Sequence, residues 1–402
     1  MGPPPDPRRM TSDLAPRLSQ RAGLFPESVI REMTRHANAH GAVNLAQGFP
    51  DWNPPAEVVA AAKEALDGPF NQYAITWGAP PLRQAIAQKM KWFNAVDVDP
   101  ETEIVVTCGA TEAMMAIMLA IVDPGDEVIV FEPFYENYGP DAVLSGASLR
   151  FVPLRPERGF RFDPEELKAA FTSRTKAIIV NTPANPAGTV FTKEELTLIG
   201  DLCRQHRAFL VTDEIYEHIL YDDRKHVAPI GLPGLRDVVI MVSGASKTYS
   251  MTGWRVAWVV ARPEVIQAVR RTHDFLTVGA PHPLQMGVAK ALALPPAYYE
   301  QLAKDYGAKR EFLVGALRKA GFQVEKPEGA YYVMADFRAL APQKDMDDRG
   351  FAMWLVKDVG LAGVPASSFF SRKALGRNHI RFHFAKSMPT LEAGAARLAK
   401  LA

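Results

Sequence analysis

A repeated alternation between Glu103 and Val260 constrains the fold of this chain more than any other feature of the sequence. Short, nearly continuous apolar runs follow one another there, and stretches with helical spacing separate most of them. Such runs are typical of strands that are buried on both faces, as in a parallel sheet covered by helices. The runs are Ile104–Thr107, Glu127–Phe131, Leu149–Pro153, Ala177–Asn181, Phe209–Thr212, Val238–Val242 and Val256–Val260. The sequence therefore predicts an α/β fold with a doubly wound, mostly parallel sheet.

Two helix starts in this region carry the same local signal. Asp163 and Thr192 are each followed three residues later by a glutamate, Glu166 and Glu195 respectively. In a capping box, the cap side chain accepts a hydrogen bond from the backbone N–H three residues on, and the glutamate accepts one from the cap N–H. We expect a capping box at both places.

The pattern changes after about residue 291, where a long charged helical stretch, Tyr298–Ala320, leads into shorter strands. A chain of 402 residues exceeds the usual size of one domain, so we expect two. We predict a disordered lead-in at residues 1–15 and an N-terminal segment at 16–47 that joins the small domain. The large domain would span residues 48–290, and a small α+β domain would span residues 291–402.

The composition excludes several classes of protein. A formal net charge of +1 provides no charged surface of the kind that binds nucleic acid or membranes. No apolar run reaches the length of a membrane span. The two cysteines, Cys108 and Cys203, fit a reducing compartment, and the proline-rich first ten residues do not resemble a secretory signal. We expect a cytoplasmic protein without nucleic-acid or membrane partners.

Residues with chemical potential follow the ends of the predicted strands. Lys247 lies in a loop of small and hydroxyl residues, eight positions before Arg255. This arrangement suits an amine nucleophile beside a bound phosphate, although the loop alone is equally compatible with a surface lysine in a polar turn. Ligands of doubly wound sheets bind beyond the carboxyl ends of the strands. Other candidates at such ends are Ala110, Thr111, Tyr135, Asn185, Asp213 and Tyr216.

In their order and spacing, these residues resemble the class I aminotransferases, which are fold-type I enzymes of pyridoxal 5′-phosphate. The similarity is greatest to the glutamine transaminase/kynurenine aminotransferase branch and to bacterial aspartate aminotransferases. It runs from Leu45 to the C-terminus. The motifs that carry it are Asn44–Asp51, Asn181–Gly188, Asp213–Tyr216, Ser246–Arg255 and Arg381. The resemblance implies a seven-stranded sheet in the large domain, with a smaller α+β domain after it.

The resemblance also implies how the coenzyme ring is held. Lys247 would form the Schiff base with the coenzyme aldehyde and then act as the catalytic base. Asp213 would pair with the pyridine nitrogen and keep it protonated. Tyr216 and Asn185 would donate hydrogen bonds to the phenolic oxygen, and Tyr135 would stack on one face of the ring.

Further residues are implied to bind the phosphate and the substrate. Arg255 and the backbone N–H groups of Ala110 and Thr111 would bind the phosphate, and Tyr73 would reach the phosphate in a neighbouring subunit of a homodimer. Arg381 would bind the substrate α-carboxylate in a bidentate pair, beside Asn185 and the backbone of Gly48. The sequence departs from the family at Gly244, where a phosphate-binding serine is often found. Ser246 or Ser243 would replace that hydroxyl.

The resemblance implies an enzyme that moves the amino group of an L-amino acid to a 2-oxo acid such as 2-oxoglutarate. The apolar residues expected around the substrate favour an apolar, aromatic or sulfur-containing donor. A β-lyase acting on cysteine conjugates and an aspartate aminotransferase are the alternatives within the same fold. An amino-acid sensor is a third alternative, from a different class. His379 and His383 lack the carboxylate or cysteine neighbours of a metal site, so we expect no metal.

Overall fold

The computed structural model describes residues 27–340 and 346–401, together with residue 19 and residues 23–25. The predicted lead-in at residues 1–15 lies outside the described residues. The main sheet has seven strands in the order β2-β8-β7-β6-β5-β3-β4. Six of them run parallel to one another, and β8 is antiparallel to both its neighbours. The predicted α/β fold with a mostly parallel seven-stranded sheet is therefore confirmed.

The strands of the main sheet lie close to the predicted apolar runs. Their bounds are β2 Ile104–Thr107, β3 Glu127–Glu132, β4 Ser148–Pro153, β5 Thr175–Asn181, β6 Phe209–Asp213, β7 Val239–Gly244 and β8 Ala257–Val260. The side chains of β2, β3, β7 and β8 are buried throughout, because helices cover both faces of the sheet. Burial on both faces explains why these strands are apolar without alternation.

Helices before and between the strands complete the layers. They are α1 Val29–His40, α2 Ala56–Asp67, α3 Pro80–Asn94, α4 Ala110–Ile121, α5 Tyr138–Ser145, α6 Pro164–Ala170, α7 Lys193–His206, the one-turn α8 Ala245–Thr248, α9 Pro263–Thr277 and α10 His282–Leu292. None of the helices in the described ranges combines the length and apolar character that a membrane span requires.

One of the two predicted capping boxes is present. Thr192 and Glu195 bond each other's backbone N–H groups at the start of α7. At the start of α6, Asp163 accepts hydrogen bonds from two backbone N–H groups, but the prediction that Glu166 completes a box is wrong. The carboxylate of Glu166 pairs with Arg155 instead.

A second sheet of four strands follows in the order β12-β13-β10-β9, with every pair antiparallel. Its strands are β9 Gln323–Val324, β10 Tyr332–Asp336, β12 Val364–Pro365 and β13 His379–His383, and its helices are α11 Pro296–Lys319, α12 Asp348–Trp354 and α13 Met388–Leu398. Near the N-terminus, β1 Val43–Asn44 pairs in parallel with β11 Leu361–Ala362. The backbone N–H of His383 donates to Leu45 O over 3.1 Å, so residues 45–48 run alongside β13.

Candidate active site

A cavity opens at the carboxyl ends of β5 and β6, beside the N-terminus of α4. It collects residues that are far apart in the sequence. Its lining includes Ala110, Thr111, Tyr135, Asn185, Asp213, Tyr216, Ser246, Lys247 and Arg255, all of which the sequence predicts as site residues. The cavity thus lies at the end of the sheet where ligands of such folds bind.

Lys247 enters the cavity from α8, directly after β7. Its ammonium nitrogen donates to the carbonyl of Gly48 at 3.5 Å. The same nitrogen lies 5.8 Å from the ring centres of Tyr216 and Tyr331. The amine is therefore surrounded by aromatic faces and one carbonyl, without a carboxylate that would hold it as half of an ion pair in the described part of the chain.

Asp213 is buried at the end of β6, where its carboxylate accepts two hydrogen bonds. Tyr138 Oη donates to Oδ2 at 2.6 Å, and the backbone N–H of Ile215 donates to Oδ1 at 3.3 Å. Burial raises the pKa of Asp213 above its ordinary value, while these donors and the charge of Lys247 act in the opposite direction. Tyr138 was missed by the sequence reasoning. Its signal was an aromatic residue one helical turn after Tyr135.

The opposite end of the cavity has the features of an anion site. Gly109 has φ 84°, and α4 starts at the next residue. The backbone N–H groups of Ala110 and Thr111 have no acceptor among the described residues. A Cβ on Gly109 would lie 2.3 Å from Arg255 Nη2, so the glycine allows the guanidinium to approach the helix start. Free N–H groups at a helix N-terminus and a nearby cation together favour a phosphate.

The serine hydroxyls of the lysine loop point to different surroundings. Ser243 Oγ donates to Glu217 Oε1 at 2.6 Å, away from the cavity. Ser246 is buried and lines the cavity. A Cβ on Gly244 would lie 2.8 Å from the Cβ of Ala257 and 3.0 Å from its Cα, so the position where the family often has a serine leaves no room for one.

Arg381 is fully buried on β13, beyond the cavity wall that Asn185 forms. Its Nη1 donates to Asn185 Oδ1 at 2.9 Å, and its Nη2 donates to the carbonyl of Ala46 at 2.6 Å. The guanidinium lies between the rings of Tyr332 and Phe369, at 4.5 Å and 4.8 Å from their centres. Nε has no partner in the described part of the chain. These contacts fix the plane of a fork that can bind a carboxylate.

Tyr332 is a second residue that the sequence reasoning missed. It lines the cavity from the start of β10, and its hydroxyl lies 3.0 Å from that of Tyr216. The sequence signal was a pair of adjacent tyrosines at the start of a predicted strand. Because successive side chains of a strand point to opposite faces, one of the two lies on the same face of the sheet as Arg381.

Tyr73 stands apart from the other predicted site residues. It lies in the loop before α3 with 85% of its surface exposed, and it does not line the cavity of its own chain. Ile75, Phe275 and Val278 are also exposed apolar residues, and Phe275 is 90% exposed.

A buried cluster behind the cavity has the composition of a metal site but not its bonding. Glu214, Glu217 and His226 place ligand atoms within 4.8 Å of one another. However, Lys89 Nζ lies 2.5 Å from Glu217 Oε2, and His226 Nε2 lies 2.5 Å from Glu214 Oε2. Because the carboxylate oxygens already accept hydrogen bonds from these groups and from Thr212 and Ser243, the cluster is an ion-pair network.

These residues match pyridoxal phosphate in their chemistry. An amine for the aldehyde, a buried carboxylate for the pyridine nitrogen, and hydroxyl and amide donors for the phenolic oxygen lie around one cavity. The free N–H groups at the start of α4, with Arg255, suit the phosphate.

Comparisons with known proteins agree with this match. The family model described as aminotransferase class I and II matches residues 40–398. The probable N-succinyldiaminopimelate aminotransferase of Mycobacterium tuberculosis is 38% identical over 94% of this chain and 97% of its own. Its solved structure has a TM-score of 0.92 and covers 96% of this chain and 100% of its own. Human kynurenine–oxoglutarate transaminase 1 is 34% identical over 92% of this chain and 94% of its own. A solved methionine aminotransferase from Escherichia coli is 35% identical, with a TM-score of 0.91, and covers 95% of this chain and 99% of its own.

Proposed function

Because the chain belongs to the class I and II aminotransferases, which use pyridoxal phosphate, we propose that its donor is an apolar, aromatic or sulfur-containing L-amino acid. The acceptor would be a 2-oxo acid such as 2-oxoglutarate. The observation that supports the coenzyme roles is a single cavity that brings together Lys247, Asp213 and Arg255, with Arg381 behind its wall.

In this proposal Lys247 holds the coenzyme and moves the proton. When bound, pyridoxal phosphate supplies an aldehyde that combines with amines and a protonated ring that accepts electrons from the substrate Cα. Lys247 Nζ would hold the coenzyme through its aldehyde, and as a free amine it would move the proton at the substrate Cα.

Asp213 would hold the pyridine nitrogen of the coenzyme. As an anion it accepts the pyridine N–H, and the hydrogen bond from Tyr138 stabilises this ionised state despite the burial. Tyr216 and Asn185 serve as donors to the phenolic oxygen, and Tyr135 covers one face of the ring. Burial raises the pKa of Tyr216, so its hydroxyl stays protonated and able to donate.

Arg381 would bind the substrate α-carboxylate. The guanidinium keeps hydrogens available after it has bonded Asn185 and Ala46, and its buried Nε has no partner in the described chain. The bond to Asn185 links carboxylate binding to the coenzyme, because the same amide borders the cavity.

The preference for apolar donors rests on the cations around the cavity. Lys247 and Arg255 are its only cationic lining residues in the described part of the chain, and both have roles in holding the coenzyme. With Arg381 assigned to the α-carboxylate, the cavity lining within the described residues offers no further cation for the second carboxylate of aspartate. The relatives named for kynurenine and methionine are consistent with this preference.

A donor panel tests the substrate class. Coenzyme-loaded enzyme would be mixed with one donor at a time, without acceptor, and the change in coenzyme absorbance followed. The panel comprises methionine, phenylalanine, kynurenine, aspartate and N-succinyldiaminopimelate, the last because of the name of the Mycobacterium tuberculosis relative. We expect the apolar and aromatic donors to exceed aspartate by at least tenfold in the second-order rate constant. The opposite order, or a clear preference for N-succinyldiaminopimelate, would refute the donor class.

Lys247→Ala tests the mechanism independently of the substrate. The variant should bind the coenzyme without a covalent bond and lose turnover with every donor. The matched control is Lys290→Ala on α10, outside the cavity lining, which should keep the wild-type rate.

We also propose a homodimer in which Tyr73 of each subunit completes the phosphate site of the other. The exposure of Tyr73, Ile75, Phe275 and Val278 supports such a contact. Complementation tests it: mixing Lys247→Ala with Tyr73→Ala chains creates heterodimers in which one site has both residues intact. Activity that rises on mixing two nearly inactive variants is expected. Activity that stays at the level of the separate variants, in a mixture shown to form heterodimers, would refute shared sites.

A further inference from the structure

Resting on the proposed function, we propose that Tyr332 is a further active-site residue whose hydroxyl orders Tyr216 as a hydrogen-bond donor to the coenzyme's phenolic oxygen. The two residues come from different sheets. Tyr216 follows the end of β6, and Tyr332 begins β10, 116 positions later. Both line the cavity, and each is 3% exposed.

The proposed role of Tyr216 sets the direction of the hydrogen bond between the two hydroxyls. Their oxygens are 3.0 Å apart, so one proton lies between them. If Tyr216 donates its own proton to the coenzyme, the proton between the oxygens comes from Tyr332. Tyr216 is then an acceptor on one side and a donor on the other. Hydrogen bonds in such a chain polarise and strengthen one another.

The ring of Tyr332 is held tightly, which keeps the hydroxyl in place. The ring lies against the guanidinium of Arg381, 4.5 Å from its centre. Tyr332 and Arg381 belong to adjacent antiparallel strands and occupy diagonal positions on one face. On the other side, a Cβ added to Gly48 would lie 2.3 Å from the tyrosine hydroxyl. The tyrosine therefore requires a glycine at position 48.

The expected consequence is a change in the pKa of the nitrogen that joins Lys247 to the coenzyme. A stronger donor stabilises the anionic phenolic oxygen most when the nitrogen that joins Lys247 to the coenzyme is unprotonated. The chain from Tyr332 through Tyr216 therefore lowers the pKa of that nitrogen. Since the ring and not the hydroxyl contacts Arg381, the hydroxyl should have little influence on substrate carboxylate binding.

The test is a spectrophotometric pH titration of the coenzyme-loaded enzyme without substrate. Tyr332→Phe should raise the midpoint of the absorbance change by roughly half a unit to one unit, as expected for the loss of one hydrogen bond in a chain. Tyr216→Phe should raise it further. Tyr332→Phe should add nothing in the Tyr216→Phe background, because the relay is already broken. With the proposed donors, KM should stay within about twofold of wild type, because the ring remains on Arg381.

Tyr299→Phe is the matched control. It removes a hydroxyl from another buried tyrosine pair, in which the oxygens of Tyr249 and Tyr299 are 2.7 Å apart, outside the cavity lining. Its titration midpoint should equal that of wild type. An unchanged midpoint in Tyr332→Phe would overturn the proposal, as would an equal shift in the presence and absence of the Tyr216 hydroxyl. Borohydride should fix the coenzyme to wild type but not to Lys247→Ala. If both retain it alike, the proposed function fails, and this inference fails with it.

Discussion

The hydroxyl of Tyr138 donates to Asp213 Oδ2 across 2.6 Å, and both side chains are buried. Asp213 ends β6, and Tyr138 begins α5, 75 positions earlier in the chain. The bond ties the carboxylate to the helix that follows Tyr135. The tyrosine hydroxyl is an uncharged donor to a buried carboxylate, and its hydrogen bond stabilises the anionic form of Asp213.

Tyr138→Phe should weaken coenzyme binding. Without the donor, the pKa of Asp213 rises further above its ordinary value, so a smaller fraction is ionised to hold the pyridine N–H. A hydrogen bond to a charged group contributes about 1.5–3 kcal/mol, which corresponds to a loss of coenzyme affinity of about 10- to 150-fold. Equilibrium titration with the coenzyme measures the affinity of the variant and of wild type. The difference in affinity between them should grow as the pH falls. Tyr306→Phe is the control, since that buried hydroxyl has no partner in the described chain.

Lys89→Met should destabilise the protein strongly. Lys89 and Glu217 are both buried, with Nζ and Oε2 2.5 Å apart, so the substitution leaves a buried carboxylate without its cation. Breaking a buried pair in this way costs about 3–5 kcal/mol. Lys91→Ala removes the partner of Asp97 from an exposed pair on the same helix and should cost less than about 1 kcal/mol. Urea denaturation of the coenzyme-loaded variants compares them. Similar losses of unfolding free energy in the two variants would contradict the assignment of Lys89 and Glu217 as a buried ion pair.

Stability should fall in acid partly because of His218. Burial lowers its pKa to about 3 from 6.5, so the unfolded chain takes up a proton between these values while the folded chain does not. The stabilisation is complete above pH 6.5 and is lost as the pH falls towards 3. His218→Phe keeps an aromatic ring between Phe93 and Tyr299 and should flatten this part of the profile. The unfolding midpoint measured from pH 8 to 4 tests it, with exposed His40→Gln as a control that leaves the slope unchanged. If the unfolding midpoint of His218→Phe depended on pH as steeply as that of wild type, His218 would not be the cause of the loss of stability in acid.

Gly244→Ser should weaken the enzyme although it restores a residue that the family often has. The new Cβ would press on Ala257 and on Ile215 Cδ1, which lies 3.0 Å away. Overpacking of this kind costs about 1–3 kcal/mol and would displace the strand end before Lys247. Thermal unfolding and coenzyme affinity should both decrease. Tighter coenzyme binding in this variant would show that the loop can accommodate the serine.

The remaining serines should separate into two functions. Ser246→Ala removes a hydroxyl from the cavity lining and should lower coenzyme affinity with little effect on folding. Ser243→Ala removes a donor from Glu217 and should lower stability by about 1 kcal/mol while leaving coenzyme affinity near wild type. Coenzyme titration and denaturation of both variants give the comparison. The reverse assignment would contradict the orientation of the two hydroxyls.

Local sequence was sufficient for the strands and for most of the residues at their ends. Apolar runs such as Ile104–Thr107 match their strands because a strand buried on both faces admits few other residues. Helices α5, α9 and α10 were not predicted, and the one-turn α8 was predicted as a loop. Tyr138–Ser145 has only eight residues, too few for helical periodicity to be distinct. The predicted capping box at Asp163 is absent because Glu166 pairs with Arg155, a residue outside the helix.

The sequence by itself determined the fold class, the family and the strand-end residues around Lys247, because burial, turn formation and motif spacing act over short stretches of chain. Only the tertiary structure decided which side chains meet. Arg381 reaches Asn185 across 196 positions, and Tyr138 reaches Asp213 across 75. It also decided that Ser243 faces Glu217 and that Gly244 has no room for a side chain. Such contacts depend on how separate elements pack against each other. Local residue preferences carry no information about contacts between residues that are far apart in the sequence.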